Sequence, residues 1–182
     1  MSNVLTSEHP TAMEIIEQRA ALGIELRTTL FISEPNKEVI IAPLYQLQRG
    51  LYYEQETPRV VPFASPLDEI GRRAKVSLLL CKTVSMNLRD KKESDWPAYR
   101  SSRARSLKAF KADYVYMSVE TVNNNIRLEG YPVGSEQIFV GAYVAPACTA
   151  LNLGKLIMNM YRCCQQLAQT GLSSTFIDPM GR

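Results

Sequence analysis

Residues 114–133, YVYMSVETVNNNIRLEGYPV, decide the predicted fold of this chain. Apolar and polar residues alternate from Tyr114 to Thr121 and again from Ile126 to Val133, as in strands with one buried face. Three asparagines, Asn123 to Asn125, separate the two segments, and asparagine favours tight turns because it tolerates left-handed backbone angles. The stretch therefore predicts a β-hairpin.

A third strand and a long helix are predicted after this hairpin. Residues 137–144, QIFVGAYV, follow Gly134 and Ser135 and are typical of a strand, and Pro146 then precedes a helical pattern. Apolar residues recur along this pattern at three- and four-residue steps, which places them on one helix face. They are Ala150, Leu153, Ile157, Met160, Tyr161, Cys164 and Ala168. Gly171 is the predicted end of the helix.

The first half of the chain repeats this order of elements. Apolar segments at 30–32 and 39–42 flank a turn at 34–37, and residues 59–63 are typical of a short third strand. A helix is predicted next, with Ser65 as its cap, Pro66 in its first turn and Asp68 as a capping-box acid. The apolar stripe of this helix consists of Leu67, Ile70, Ala74, Leu78 and Cys81.

The two halves can be aligned on each other. The closing helices match at a shift of 83, which pairs Gly71 with Gly154 and Cys81 with Cys164, and the hairpins match at a shift of 87. A helical segment precedes each hairpin, at 12–22 and at 97–111, the second capped by Ser94 or Asp95. The stretch 44–58 is longer in the first half, as expected of a loop that tolerates insertion.

The predicted fold class is α+β: two pseudo-repeated α-β-β-β-α units form one mainly antiparallel sheet with helices packed against it. We expect a single domain over residues 1–182, with halves at about 11–86 and 95–171 and a C-terminal tail at 172–182. Because strand–turn–strand–helix is a common order, the repeat could also have arisen by chance.

Composition narrows the class of protein. The chain has 182 residues and 46% hydrophobic content, enough for a core, and 21% charged residues, an ordinary globular value. No apolar run approaches the roughly 20 residues that cross a bilayer, and residues 1–10 lack a basic and apolar leader, so we expect a cytoplasmic protein with no membrane partner. The four cysteines lie in apolar helical stretches, which predicts buried, reduced thiols.

No catalytic constellation is evident in the sequence. His9 is the lone histidine and lies near the terminus, so it is a poor base or metal ligand, and no C-x-x-C pair is present. The phosphate-binding glycine motifs are absent, and Gly71 and Gly154 stand alone in helices, where we expect them to allow close packing against the sheet. Hydrolysis by a carboxylate pair stays open. We predict no enzyme, no catalytic residue, no cofactor and no metal.

The basic charge is concentrated in residues 87–111. This stretch contains eight basic residues against Asp90, Glu93 and Asp95, a net charge of +5, which leaves 3 − 5 = −2 for the rest of the chain. If 97–111 is one helix, its arginines lie near one flank among aromatic residues. Arginines with aromatics suit an acidic protein partner or nucleic acid, although a solvated helix face is the alternative. The candidate partner-binding residues are Trp96, Tyr99, Arg100, Arg103 and Arg105.

The second half of the chain resembles a known family. Its Trp-Pro-Ala-Tyr opening at 96–99, Arg-Ser-Leu-Lys-Ala-Phe at 105–110, hairpin, and Leu-Gly helix with a cysteine near its end are similar to the immunity proteins of bacterial contact-dependent growth inhibition (CDI) systems. The resemblance covers roughly residues 90–168, and 39–82 more weakly. It implies a cytoplasmic, non-catalytic protein that blocks a cognate toxin, usually the C-terminal nuclease domain of a large secreted effector.

The basic stretch departs from one expectation of that family. Immunity proteins against basic nucleases are commonly acidic and imitate nucleic acid, so a basic segment suggests binding beside the active site or a toxin with an acidic surface. Glu54, Glu56 and Asp90 remain candidate local contacts. Two other functions stay open: a nucleic-acid-binding protein that uses residues 87–111, which the modest net charge of +3 makes less suitable, and a dimeric secretion chaperone or scaffold.

Overall fold

The computed structural model describes residues 11–47, 50–85, 91–134 and 138–170. His9, the residues 87–90 of the basic stretch, and Gly171 lie outside them. The strands are β1 (Arg27–Ser33), β2 (Glu38–Leu47), β3 (Tyr52–Glu54), β4 (Arg59–Pro62), β5 (Lys82–Val84), β6 (Val115–Val122), β7 (Asn125–Tyr131) and β8 (Val140–Val144). The helices are α1 (Ala12–Ala21), α2 (Leu67–Leu79), α3 (Pro97–Ser101), α4 (Leu107–Asp113) and α5 (Ala150–Thr170), and a 3₁₀ turn spans Glu93–Asp95.

The described strands form one eight-stranded sheet in the order β3-β2-β1-β6-β7-β8, in which β4 and β5 also pair with β2. Each pairing is antiparallel except that of β5, which runs parallel to β2. The predicted α+β class with a mainly antiparallel sheet is confirmed. The sequence prediction did not include β3 and β5, because each has only three residues and shows no alternation of its own.

The two hairpins meet at the centre of the sheet. Leu30 on β1 lies opposite Met117 on β6, and 117 − 30 = 87 is the shift that aligns the two hairpins in sequence. Matched residues face each other across an antiparallel pair when a local twofold axis passes between them. The hairpin turns also correspond, since Lys37 and Asn124, again 87 apart, have left-handed φ angles of 57° and 60°. The two hairpins and their turns are thus arranged pseudosymmetrically at the centre of the sheet.

Helices α2 and α5 pack against each other through their glycines. A Cβ atom built on Gly71 would overlap the carbonyl oxygen of Ala150 and lie 2.7 Å from the amide nitrogen of Gly154. One built on Gly154 would overlap the carbonyl oxygen of Leu67. The two glycines therefore serve a helix–helix crossing, whereas the sequence prediction had placed their contact at the sheet.

Both helices bury one face on the sheet. The predicted stripe residues Ile70, Ala74 and Leu78 are buried in one core with Leu153 and Ile157 of α5. Ala168, predicted for the same stripe, is exposed because it lies near the end of α5, beyond the core. The cysteines carry free thiols: Cys81, Cys163 and Cys164 are buried and Cys148 is half-buried. Burial raises the pKa of Cys164 to about 12, so this thiol stays protonated and apolar.

Two predicted helix caps and the continuity of one predicted helix were wrong. The N-cap of α3 is Trp96 and not Ser94 or Asp95. Pro66 is the N-cap of α2, with no side-chain hydrogen bond, so Ser65 does not cap the helix. The predicted helix 97–111 is two helices with a non-helical break at 102–106. The Ser102 hydroxyl donates to the Tyr99 carbonyl and accepts from the Ala104 amide, while Ser106 caps α4 by accepting from the Ala109 amide at 3.1 Å. Serines that bond to nearby backbone in this way compete with helix continuation.

None of the described helices is both long enough and apolar enough to cross a membrane.

Candidate protein-binding face

The sheet face opposite α2 and α5 holds a second, aromatic core. Neighbouring strand residues point to opposite faces, so Phe31 lies on this face whereas Leu30 and Ile32 face α2 and α5. Phe31 packs with its ring centroid 5.1 Å from that of Phe110 on α4 and 5.3 Å from that of Trp96. This core attaches the segment 96–113, which contains the predicted site residues, to the sheet.

The two aromatic site residues are held inside this packing. Trp96 and Tyr99 are half-buried, and their ring centroids lie 5.4 Å and 5.7 Å from that of Phe110. The structure therefore brings these two predicted residues together around one ring. Most of their surface supports the fold, and the remainder is available to a partner.

A buried carboxylate anchors the start of α3. Glu54 is 5% exposed and accepts hydrogen bonds from the Ala98 amide at 2.8 Å, the Thr29 hydroxyl at 3.1 Å and the Trp96 side chain. Burial raises the pKa of Glu54 to about 7, and the three donors oppose that rise. Glu54 was a candidate partner contact from sequence, but its burial assigns it to the scaffold.

A second buried carboxylate anchors the end of α3. Glu38 is 2% exposed and accepts from the Arg103 amide at 2.8 Å and from the Tyr114 hydroxyl, while the Arg103 Nε lies 3.3 Å from its other oxygen. Burial and the bond to Glu38 both raise the pKa of Tyr114. Arg103 is therefore the ion-pair partner of a buried acid, although its side chain is 70% exposed.

Arg100 and Arg105 are placed differently from Arg103. Both are exposed, one on α3 and the other in the break before α4, and neither forms an ion pair with any described residue. The expected single helical flank of arginines does not form, because the helix is interrupted at Ser102. Elsewhere in the stretch, Lys111 pairs with Glu93 at 3.0 Å and Lys91 lies 3.9 Å from Glu56. Part of the positive charge of residues 87–111 is therefore neutralised by nearby carboxylates.

A ladder of alternating charges continues along the same face. Glu120 on β6 is 2% exposed and pairs with Arg27 on β1 and with Arg127 on β7, whose Nε lies 2.6 Å from the carboxylate. Arg127 also lies 3.5 Å from Glu129, which accepts from the Tyr131 hydroxyl at 2.8 Å. Sequence reasoning missed this ladder because the pairing depends on strand register, which places both arginines opposite Glu120.

Two pockets open on this face, and Trp96 and Tyr116 line both of them. The Tyr131 pocket has a volume of about 580 Å³ and is lined by Phe31, Trp96, Phe110, Lys111, Tyr114, Tyr116, Tyr131, Pro132, Val133 and Gly134. The Arg27 pocket has a volume of about 750 Å³ and is lined by Arg27, Thr29, Leu44, Gly50, Leu51, Tyr52, Tyr53, Glu54, Lys91, Lys92, Glu93, Trp96 and Tyr116. Both volumes lie in the usual range of ligand sites.

The chemistry of these pockets suits binding. Their walls combine aromatic rings with charged side chains, and the Arg27 guanidinium carbon lies 4.4 Å above the centroid of the Tyr52 ring. Aromatic and arginine side chains are the types enriched at protein interfaces. Among the described residues, no group of three histidine, cysteine, aspartate or glutamate side chains could hold a metal ion.

Comparison with known proteins gives similarity in fold alone. No family model matches the sequence, and no curated protein matches it. A protein of unknown function from Neisseria meningitidis is similar in structure, with a TM-score of 0.58 and 10% identity over 78% of this chain and 94% of that one. A chain in the CdiA-CT/CdiI toxin and immunity complex from Yersinia pseudotuberculosis has a TM-score of 0.54 and 7% identity over 81% of this chain and 97% of that one.

The fold is similar to one found in a toxin–immunity complex. The coverage of 97% means that the likeness extends over nearly all of the Yersinia chain and is not limited to one motif. The resemblance to CDI immunity proteins that the sequence suggested is thus supported at the level of the fold. At 7% and 10% identity, similarity of individual side chains is not implied.

Proposed function

We propose that this protein binds a protein toxin and neutralises it. The observation that carries the proposal is the similarity in fold to a chain of a toxin and immunity complex, together with the sequence resemblance of residues 90–168 to CDI immunity proteins. The proposed partner is a cognate toxin domain, in particular a nuclease at the C-terminus of a secreted effector. The proposed mechanism is occlusion: the immunity protein covers the active or substrate site of the toxin.

Arg100, Arg105 and the accessible edges of Trp96 and Tyr99 form the proposed partner surface, which we call the α3 surface. Two exposed arginines without ion-pair partners among the described residues can meet acidic groups of a partner at no cost to the fold. Arg103 belongs to this surface through its 70% exposed side chain, and it also holds Glu38. Glu54 and Glu38 accept backbone hydrogen bonds near the two ends of α3, which reduces the cost of ordering this backbone when a partner binds.

Nucleic acid is a weaker candidate partner for the same stretch. Arg103, Lys111 and Lys91 each lie within 4 Å of a carboxylate, which lowers the positive potential that a phosphate backbone would meet. A dimeric scaffold remains an alternative that a molar-mass measurement would identify.

The direct test is co-production with the product of the adjacent upstream gene. We expect a one-to-one complex that survives gel filtration and a host cell that tolerates the toxin only when this protein is present. Purified complex should also lose the RNA- or DNA-cleaving activity of the free toxin. The proposed function is contradicted if no complex forms and if this protein gives no protection to a cell that the toxin kills. Protection against a toxin that cleaves no nucleic acid would retain neutralisation and overturn the nuclease assignment.

A further inference from the structure

The lining of the Arg27 pocket contains one more cation than acids. Three cations line it, Arg27, Lys91 and Lys92, against the two acids Glu54 and Glu93. Glu93 already pairs with Lys111 of α4, which does not line the pocket. Glu54 accepts hydrogen bonds from three donors. Lys92 forms no ion pair within the described ranges. Arg27 pairs with Glu120, and Lys91 lies 3.9 Å from Glu56. An anionic group that enters the pocket would therefore meet two partly compensated cations and Lys92, which has no ion-pair partner among the described residues.

The same pocket has an apolar wall. Leu44, Leu51, Tyr52 and Trp96 lie beside the cations, and Leu51 is 60% exposed. The Lys91 ammonium lies 5.5 Å from the centroid of the Tyr53 ring, so one occupant of the pocket could contact both the cation and the ring. An occupant that combines one negative charge with an apolar group fits this arrangement better than a small inorganic anion does.

The charge pattern also favours a protein segment over a nucleic acid. Glu54 and Glu93 lie among the cations, and Arg27 already pairs with the buried Glu120. A nucleic acid has a phosphate at every nucleotide, so some of its negative charges would lie against these acids. A peptide carries carboxylates at only some of its residues, so it can bind the cations without placing a carboxylate beside Glu54 or Glu93.

We propose that the Arg27 pocket receives an acidic side chain, flanked by an apolar one, from the protein partner. This inference rests on the proposed function and adds to it a second contact, at a pocket that shares Trp96 with the α3 surface. It assigns to Lys91 and Lys92 the role that the sequence had given only to the arginines of the α3 surface. The partner segment is recognised by its charge and by the apolar group beside it.

Trp96 provides the first test, because it is the single tryptophan of the chain and lines the pocket. Wild-type protein is titrated with an acetylated hexapeptide of alternating glutamate and leucine, with the matched glutamine and leucine peptide, with inorganic phosphate and with a short single-stranded DNA. We expect saturable Trp96 fluorescence changes with the acidic peptide alone. No response to it at millimolar concentration, an equal response to the glutamine peptide, or a response to phosphate or DNA alone would overturn the inference.

Charge variants provide the second test. In Lys91→Glu and Lys92→Glu we expect the affinity for the acidic peptide to fall at least about tenfold, and in the neutral Lys91→Gln and Lys92→Gln by a smaller factor. Lys155→Glu, an exposed lysine on α5 remote from the pocket lining, makes the same change of charge and should bind as wild type. An equal loss in Lys155→Glu would mean that net charge alone acts, and the pocket would not be the site.

The same variants separate this inference from the proposed function. If a toxin complex forms and Lys91→Glu with Lys92→Glu leaves its dissociation constant unchanged, the pocket assignment fails and the function stands. If no toxin complex forms but the peptide titrations give the expected pattern, the pocket stands and the proposed function fails.

Discussion

Gly71 on α2 and Gly154 on α5 face each other at the helix crossing, where the backbone of each helix fills the space that a side chain on the other would need. The same two residues are aligned with each other when the two halves are compared in sequence. Leu30 and Met117, which pair across β1 and β6, are likewise aligned by the shift that matches the two hairpins. Both pairs of matched residues therefore lie where a local twofold axis would pass. The crossing joins the two halves on one side of the sheet.

Adding one methyl group at this crossing should destabilise the protein. In Gly154→Ala the new Cβ would overlap the Leu67 carbonyl oxygen, which is backbone and cannot turn aside, so α2 and α5 must separate. We expect a loss of about 1–3 kcal/mol or more in the free energy of unfolding, despite the roughly 1 kcal/mol that alanine gains in helix propensity. Urea unfolding followed by circular dichroism measures it.

Gly141→Ala is the matched control for this substitution. Its Cβ would lie 3.4 Å from the Phe139 ring, an ordinary contact with the end of a side chain. Its free energy of unfolding should stay within about 1 kcal/mol of wild type. A Gly154→Ala protein as stable as this control would show that the helices do not cross so closely.

The stability of the protein should fall as the pH rises from about 4.5 to about 7 because of Glu54. Burial raises the folded pKa of this carboxyl to about 7 from its ordinary 4.5, so the folded state binds the proton more tightly than the unfolded state does. The cost of ionising it is absent below about pH 4.5 and complete above about pH 7, and is on the order of 3 kcal/mol.

Urea unfolding of wild type and Glu54→Gln at several pH values between 4.5 and 8 measures this effect. The neutral amide should remove the fall in stability over that interval. Glu56→Gln is the control, because Glu56 is an exposed neighbour whose replacement should leave the slope of wild type. If wild type and Glu54→Gln give parallel stability curves, another group is responsible for the pH dependence.

The bond between Glu38 and Arg103 should matter for folding more than its exposure suggests. Arg103→Ala removes the cation beside a carboxylate that is 2% exposed, although the Arg103 amide and the Tyr114 hydroxyl still donate to it. We expect a loss of about 1–3 kcal/mol in the free energy of unfolding. Glu38→Gln should lose a similar amount, and the double variant less than the sum, which a thermal or urea double-mutant cycle measures. Strict additivity would contradict a direct interaction.

Reversal of the charge of Arg100 or Arg105 should affect binding and leave folding unchanged. Arg100→Glu and Arg105→Glu alter exposed side chains, so the free energy of unfolding should change by no more than about 0.5 kcal/mol. The affinity for the toxin should fall, mainly because association is slower when the steering charge is reversed. Surface plasmon resonance at two salt concentrations measures both rates. Unaltered rates in both variants would place the partner surface elsewhere.

The sequence predicted those helices and strands in which apolar residues recur at one regular spacing. The hairpin at 114–133, the stripes of α2 and α5 and the antiparallel α+β class follow from alternation and from three- and four-residue spacing, which depend on neighbours in the chain. The break between α3 and α4 was missed, since the serines that cause it bond to backbone that a periodicity search does not consider. Of the five candidate site residues, sequence could not separate Arg103 from Arg100 and Arg105.

The sequence by itself determined the class of fold, the buried helix faces and the excess of basic residues between 87 and 111. Only the tertiary structure decided which of the described basic residues pair with an acid, because Glu38 contacts Arg103 from a strand 65 positions away in the chain. It also brought Arg27, Lys91 and Lys92 around one pocket and Glu120 between two arginines. Charge and burial depend on distances in space, and those are set by strand register and helix packing together.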